Sequence, residues 1–202
     1  SHFPEHRVYV EPYGGAASVL LQKPRSYGEV YNDLDGEIVN LFRVVRERGP
    51  ELERVMTLTP FARDEFLLAY EPTEDALEQA RRTMARSFMG FGSAAASGAK
   101  TGFRANSNRS GTTPAHDWAN YPQNVAPIME RLRGVVIENK DACAVMLQHD
   151  TPQTLHYVDP PYVFDTRSVA NPYCKKGYRH EMTDAQHSAL AATLRELAGM
   201  VI

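Results

Sequence analysis

The sequence predicts an open α/β sheet of parallel strands, interrupted by an inserted subdomain. Three observations carry this expectation. Short β-type runs alternate with helical stretches; the runs are apolar almost throughout rather than at every second position; and the span between the second and third runs is too long for one crossover.

Taken in order, the runs are "RVYVE" (Arg7–Glu11), "GEVYND" (Gly28–Asp33), "GVVIEN" (Gly134–Asn139), "LHYVD" (Leu155–Asp159) and "GMVI" (Gly199–Ile202). They are rich in β-branched and aromatic residues, as strands covered on both faces are, and most end in an acid or an amide. Between them, Asp35 to Arg48 places Ile38, Leu41, Phe42 and Val45 on one helical stripe. Thr183 to Ala198 opens with Thr183 and Gln186 in capping-box spacing, followed by Leu190, Leu194 and Leu197 at helical intervals. Such alternation predicts right-handed crossovers. The long middle span holds a helical part, Thr73–Phe88, and then a Gly/Ser/Ala-rich stretch, Met89–Pro114.

With 202 residues the chain can bury one core, or one core and a small appended subdomain. Hydrophobic content of 43% and charged content of 23% place it among soluble globular proteins. Cys143 and Cys174 form neither a CxxC pair nor a ligand cluster, so a reduced compartment is expected. No apolar run approaches the roughly 18 residues of a membrane span, and "SHFPEHRVYVEP" lacks the apolar region of a signal peptide. A cytoplasmic protein with no membrane partner is expected.

The net charge of −3 argues against indiscriminate nucleic-acid binding, yet it averages over a split. From Glu29 to Glu78 acids outnumber bases. From Ala80 to His116 stand Arg81, Arg82, Arg86, Lys100, Arg104 and Arg109 with no Asp or Glu. A solvated basic face is the plainer account of such a cluster. Its setting among Gly, Ser, Asn and aromatic residues instead suits a loop surface that meets phosphates and bases.

In open α/β sheets ligands bind at the carboxyl ends of the strands. The first run leads into "EPYGGAAS" (Glu11–Ser18), where Gly14 and Gly15 allow a tight turn and close approach of backbone to a ligand. The second ends in Asn32-Asp33, with Asp33 18 positions beyond Gly15, near the offset of an acid that accepts from ribose hydroxyls. A helix N-cap is the structural alternative for Asp33, a task Asp35 could share. The third ends "ENKDA", offering Asp141 to an exocyclic amine. No phosphate-loop signature GxxxxGK[ST] is present and nothing demands a pyrophosphate, which favours S-adenosyl-L-methionine over a dinucleotide.

The fourth run ends in Asp159, Pro160, Pro161 and Tyr162. An exocyclic amine on a base is a poor nucleophile because its lone pair is delocalised into the ring. Two acceptors, the Asp159 carboxylate and the Pro160 carbonyl, can hold its hydrogens and favour a pyramidal nitrogen. The prolines fix the carbonyl in advance, and Tyr162 offers a face on which an extruded base can stack. A strand-terminating turn with a surface tyrosine is the structural alternative.

These pieces resemble a DNA adenine-N6 methyltransferase of the Dam type (D12 class), particularly phage-borne or prophage-like members. "VEPYGGAASVLL", "EVYNDLDGEIVNLF", "HYVDPPYVFDTRS" and "YRHEMTDAQHSALAATL" carry the resemblance, over nearly the whole chain and in the family's order. It implies a Rossmann-like methyltransferase sheet with a target-recognition insertion. The cofactor-binding part would be residues 1–50, the insertion 51–118 and the catalytic part 119–202. It implies S-adenosyl-L-methionine as cofactor, held by Glu11, Pro12, Tyr13, Gly14, Gly15, Asp33, Asp141 and Asp159. Asp159, Pro160, Pro161 and Tyr162 would be catalytic, acting on double-stranded DNA with a flipped adenine. Arg86, Lys100, Arg104, Asn106, Arg109 and Arg167 would face the DNA, and a restriction endonuclease is a partner such enzymes can have. The family commonly has a second glycine where this chain has Ala17, so the loop is expected to sit differently. The chain also opens without the family's Gly- and Lys-containing cofactor segment and stops on the fifth of seven expected strands, as a fragment would.

Neighbouring chemistries remain open on the residues alone. Tetrads of this kind also serve N4-cytosine and RNA guanine-N2 methyltransferases, and a non-catalytic DNA-binding remnant would keep the basic insertion. No cysteine sits in the context that carbon-5 cytosine chemistry needs. "HEMTD" at His180 begins like HExxH but has Asp184 where the second histidine belongs, so no metal is expected. His149, His156 and His187 show no ligand spacing. Trp118 is expected as a core anchor. Arg167, Lys175, Lys176 and Arg179 follow the tetrad, either as a loop that closes over base and phosphates or as a solvated one.

Overall fold

Val8–Glu11 (β1), Gly28–Asn32 (β2), Val135–Glu138 (β3), Thr154–His156 (β4) and Met200–Val201 (β5) form one sheet. Its order is β3-β2-β1-β4-β5, and every pairing is parallel. The computed structural model describes residues 3–91, 100–106, 111–163 and 179–202. All five expected strands are present, each within the run that predicted it or within a residue of it. Ladder bonding between β1 and β4 extends past His156, with the Tyr157 N–H donating to the Val10 carbonyl at 2.9 Å. Asp159 therefore stands just beyond the last paired residues.

Successive strand residues point to opposite faces. Val10 and Val30 share one face and pack with Val145 of Ala142–Gln148, the helix that joins β3 to β4. Tyr9, Glu11 and Tyr31 alternate onto the other, where Ser18–Gln22 (α1) places its Leu20 amide on the Glu11 carboxylate. Both faces are covered, which is why the strands read as continuous apolar runs. From β1 the chain steps to β2 and β3 on one side, then returns to β4 and β5 on the other. The reversal lies between β1 and β4, where parallel sheets form ligand crevices.

The chain forms two compact units, one of residues 1–39 with 134–202 and one of residues 40–133. Gly36–Leu58 (α2) begins in the first and continues in the second. The helical stretch read over Asp35 to Arg48 breaks at Arg48, with φ −134° and ψ 29°, and then resumes to Leu58. Gly49-Pro50 accounts for the break: proline lacks the amide for one helical bond, and its ring crowds the preceding turn.

In the second unit, Arg63–Leu68 (α3) and Ala76–Met89 (α4) are followed by Pro114–Asn120 (α5) and Val125–Leu132 (α6). The arginines of α4 brace this unit from within. Arg81 holds both Glu78 oxygens at 2.7 Å and Glu65 at 2.7 Å. These bonds, those from Arg81 first, pull the Glu78 carboxyl down to about 2 against the opposing effect of its burial. Arg82 donates to Glu78 and to the Glu71 carbonyl, at 2.6 and 2.8 Å. Among the described residues no helix is long and apolar enough to cross a membrane.

Trp118 is a core anchor, as expected. It is 3% exposed, lies edge-on to Phe88, and donates its indole N–H to the Thr59 carbonyl at 2.8 Å. Trp118→Phe keeps most of the ring but strands a buried carbonyl. It should destabilise the protein by about 1–3 kcal/mol, read as a lower urea midpoint at unchanged slope.

Candidate functional site

The carboxyl edge of the first unit is assembled around Asn32, the last residue of β2. The Asn32 side-chain amide donates to the Pro12 carbonyl at 2.9 Å and to the Lys140 carbonyl at 3.0 Å, while its oxygen accepts the Lys140 N–H at 2.9 Å. The Asn32 carbonyl accepts the Gly14 N–H at 2.8 Å. One side chain, 1% exposed, thus joins the loops that follow β1, β2 and β3. Asn139 adds donations to the carbonyls of Asp33 and Leu34 at 2.8 and 3.1 Å.

The glycine turn is gripped from β2. Tyr31 donates its hydroxyl to the Gly15 carbonyl at 2.7 Å, and Asp33 Oδ2 accepts the Gly15 N–H at 2.8 Å. A Cβ at Gly14 would lie 2.1 Å from the Tyr31 ring, so the close approach that Gly14 permits is made by Tyr31 rather than by a ligand. Gly15 has φ +47° and open space where its Cβ would be. Ala17 also adopts the left-handed region, with φ 53° and ψ 31°, although it is fully buried. The alanine is therefore accommodated in a glycine-type conformation, at a local cost of roughly 1–2 kcal/mol.

Asp33 is half-buried, and its Oδ1 accepts the Asp35 N–H at 2.8 Å. Desolvation raises its carboxyl above the usual range, against the lowering pull of the two amides it accepts. The capping task goes to Asp35, whose Oδ1 accepts the Glu37 N–H at 2.9 Å in the first turn of α2. Asp141 is exposed and caps Ala142–Gln148 (α7) through the Ala144 N–H at 3.0 Å. Tyr13 is half-buried at the same edge; burial first, then the nearby Cys143 and Asp141, push its phenol up.

Glu11 is 3% exposed. Its Oε2 accepts the Tyr9 hydroxyl at 2.8 Å and the Leu20 N–H at 3.0 Å, supplying the cap that α1 lacks from its own N-terminal residue. Lys23 Nζ is held 2.5 Å from the buried carboxylate of Glu29. Burial pushes the Glu11 carboxyl up to about 7, with Asp159 across the β1–β4 junction adding to the rise. Asp159 itself is exposed, and its Oδ1 receives the Tyr162 hydroxyl at 3.3 Å. Pro160 and Pro161 are half-buried, and the Tyr162 ring is 60% exposed.

The expected basic surface is smaller than the sequence suggests. Arg86 is 9% exposed, donates to the Ala69 carbonyl at 2.9 Å and to Thr83 Oγ1 at 3.3 Å, and lies over the Tyr70 ring. Its place on α4 puts it inside the unit, so it braces the α3–α4 turn and is not disposed to meet a phosphate. Lys100 and Asn106 are exposed and Arg104 half-buried, on a segment docked by Phe103 against Phe61 and Phe66 at 5.1 and 5.8 Å between ring centres. Arg104 also donates to the Phe88 carbonyl at 3.3 Å. Arg109, Arg167, Lys175 and Lys176 lie outside the described residues. Arg179 pairs with Asp35 and Glu37. Among the described residues no group of three or more His, Cys, Asp or Glu could hold a metal ion.

Sequence reasoning passed over Asn32 and Tyr31 as site residues. The only signal was an amide closing an otherwise apolar run.

Residues 1–200 match the profile of the family described as D12 class N6 adenine-specific DNA methyltransferase. No curated protein matches the chain.

The raised Glu11 carboxyl has a consequence for folding. Between its ordinary 4.5 and about 7 the folded chain holds a proton that the unfolded chain has released. Stability should therefore fall as pH rises through that window, by on the order of 3 kcal/mol in total. Glu11→Gln should abolish this contribution: the variant should match the wild type near pH 5 and exceed it near pH 8 in urea denaturation. Parallel pH profiles for the two would exclude Glu11 as the titrating group.

Proposed function

We propose how a chain that belongs to the D12 class N6 adenine-specific DNA methyltransferase family divides its reaction among four strand ends. The reaction is that of the family, transfer of a methyl group to N6 of adenine in DNA, which sets aside the cytosine, RNA and non-catalytic readings. The observation that carries the division is the carboxyl edge itself. The glycine turn, Asp33 and Asp141 are tied together by Asn32, and Asp159 stands across the reversal point from Glu11.

The donor set fits S-adenosyl-L-methionine. Asp33 keeps lone pairs for ribose hydroxyls beyond the two backbone amides it accepts. Asp141 Oδ2 takes no hydrogen bond from a described residue and can accept the adenine amine. Gly15 offers open space beside Asp33, and Pro12, Tyr13 and Gly14 hold the turn that presents it. Glu11, buried near the reversal point, is suited to the cofactor's cationic end. When bound, this group supplies a methyl carbon activated on a positively charged sulfur.

The rest falls to the substrate tetrad. Asp159 and the Pro160 carbonyl accept the two N6 hydrogens and keep the nitrogen lone pair available. Pro161 stiffens the backbone behind that carbonyl, and Tyr162, whose exposed ring presents a stacking face, swings from Asp159 onto the target base. With the cofactor bound, the methyl–sulfur bond would break as the C–N bond forms, its electron pair staying on sulfur, and the proton N6 must lose would lie on the side of the Asp159 carboxylate. We assign target recognition to the second unit, with Lys100, Arg104 and Asn106 among its described DNA-facing candidates.

Asp159→Ala should abolish turnover and leave cofactor affinity largely intact. Asp33→Ala should weaken cofactor binding by about 1–3 kcal/mol. Lys100→Ala and Arg104→Ala should each flatten the salt dependence of DNA binding by about one phosphate's worth. Calorimetry with the cofactor, mass spectrometry of product nucleosides and binding titrations across salt read these out. If Asp159→Ala removed cofactor binding while Asp33→Ala changed nothing, the assignment of strand ends to ligands would be wrong.

A further inference from the structure

Arg179 is the first described residue after the segment that follows the Asp159–Tyr162 tetrad. Its Nη1 donates to Asp35 Oδ1 at 3.0 Å and lies 3.1 Å from Glu37 Oε1. Asp35 is 6% exposed, and its own N–H donates to Asp33 Oδ1 at 2.8 Å. The other Asp33 oxygen accepts the Gly15 N–H at 2.8 Å. A continuous chain of polar contacts therefore runs from Arg179 through Asp35 and Asp33 to the glycine turn.

Three acids, Asp33, Asp35 and Glu37, fall within five residues at this end of α2. Like charges this close favour protonation and push side chains apart. A guanidinium placed between Asp35 and Glu37 offsets that repulsion and fixes Asp35, whose amide aims Asp33.

We infer that Arg179 is a positioning residue for the cofactor-binding carboxylate of Asp33, acting through Asp35. This rests on the assignment of Asp33 to the ribose.

The groups that face Asp33 define the pH behaviour to expect. Tyr31 lies on its own strand and Asp35 leads into α2, while His180 approaches from the same segment as Arg179. Asp35 raises the Asp33 carboxyl and His180 lowers it. Removing Arg179 leaves the Asp35 charge without its guanidinium partner, so Asp33 should protonate at higher pH.

The test is calorimetric binding of S-adenosylhomocysteine from pH 5 to pH 8. Arg179→Ala should weaken affinity about three- to tenfold at pH 7.5 and shift the acid limb of binding upward. Arg179→Lys should recover most of the loss. The double variant Asp35→Asn/Arg179→Ala should return the acid limb to its wild-type position, which a merely structural arginine would not bring about. If Arg179→Ala, or Arg179→Gln where the alanine variant does not fold, left affinity and acid limb at wild-type values while Asp33→Ala lost affinity, the inference would be overturned and the ribose assignment would stand. If Asp33→Ala bound as well as the wild type, the ribose assignment would fail and the inference with it.

Discussion

A parallel sheet delivers every strand end to one edge and leaves the backbone groups there unpaired. Those groups cost free energy wherever water cannot reach them. Asn32 is this molecule's answer. Its amide takes the carbonyls of Pro12 and Lys140, and its oxygen takes the Lys140 amide, so one side chain extends the β2–β3 ladder past its last residue pair and reaches back to β1. An aspartate here would present a second acceptor to two carbonyls, and a leucine would leave all three groups unmet. The turn that carries Gly15, the loop that carries Asp33 and the helix start that carries Asp141 inherit their relative positions from this amide.

The opposite face of β1 and β2 shows what the fold does with charge it must bury. Lys23 and Glu29 are each 3% exposed at the side chain, a pairing that repays desolvation only when its remaining donors are met. Lys23 meets that condition with the Pro24 carbonyl at 2.7 Å and Ser26 Oγ at 2.9 Å. Glu11, two residues along from Tyr9, has no such cation to itself and takes a hydroxyl and an amide instead. That difference explains why its carboxyl climbs. It also leaves a buried group beside the reversal point whose charge can respond to what binds there.

The sequence made the sheet legible because burial on both faces writes itself as unbroken apolar runs, and short crossovers kept consecutive elements close. The capping box at Thr183 and Gln186 was a local feature and was read locally, whereas the helical stretch read from Asp35 to Arg48 resumes past its break and runs to Leu58. The placement of Asp33 and of the tetrad beyond the ends of β2 and β4 was legible for the same reason, since acids and prolines there close an apolar run. Arg86 was misread because its charge is visible in sequence whereas its burial depends on α3, 17 residues away at Ala69. Asn32 and Arg179 were passed over or left undecided because their partners lie 108 and 144 positions distant. No window along the chain contains both ends of such a contact.

Within the second unit the arginines of α4 and the polar side chains of residues 100–106 are held differently. Arg81, Arg82 and Arg86 come from a regular helix, so their side chains are delivered to fixed points, and each finds a carboxylate or a carbonyl there. Lys100 and Asn106 come from a segment held by the Phe103 ring, by backbone bonds to Met89 and Phe91 and by the Tyr70 hydroxyl, and both are exposed, with Lys100 Nζ 5.6 Å from the centre of the Tyr70 ring. A segment held through its backbone and one aromatic ring can leave Lys100 exposed without loosening the core, and the DNA-facing role proposed for this residue needs that exposure.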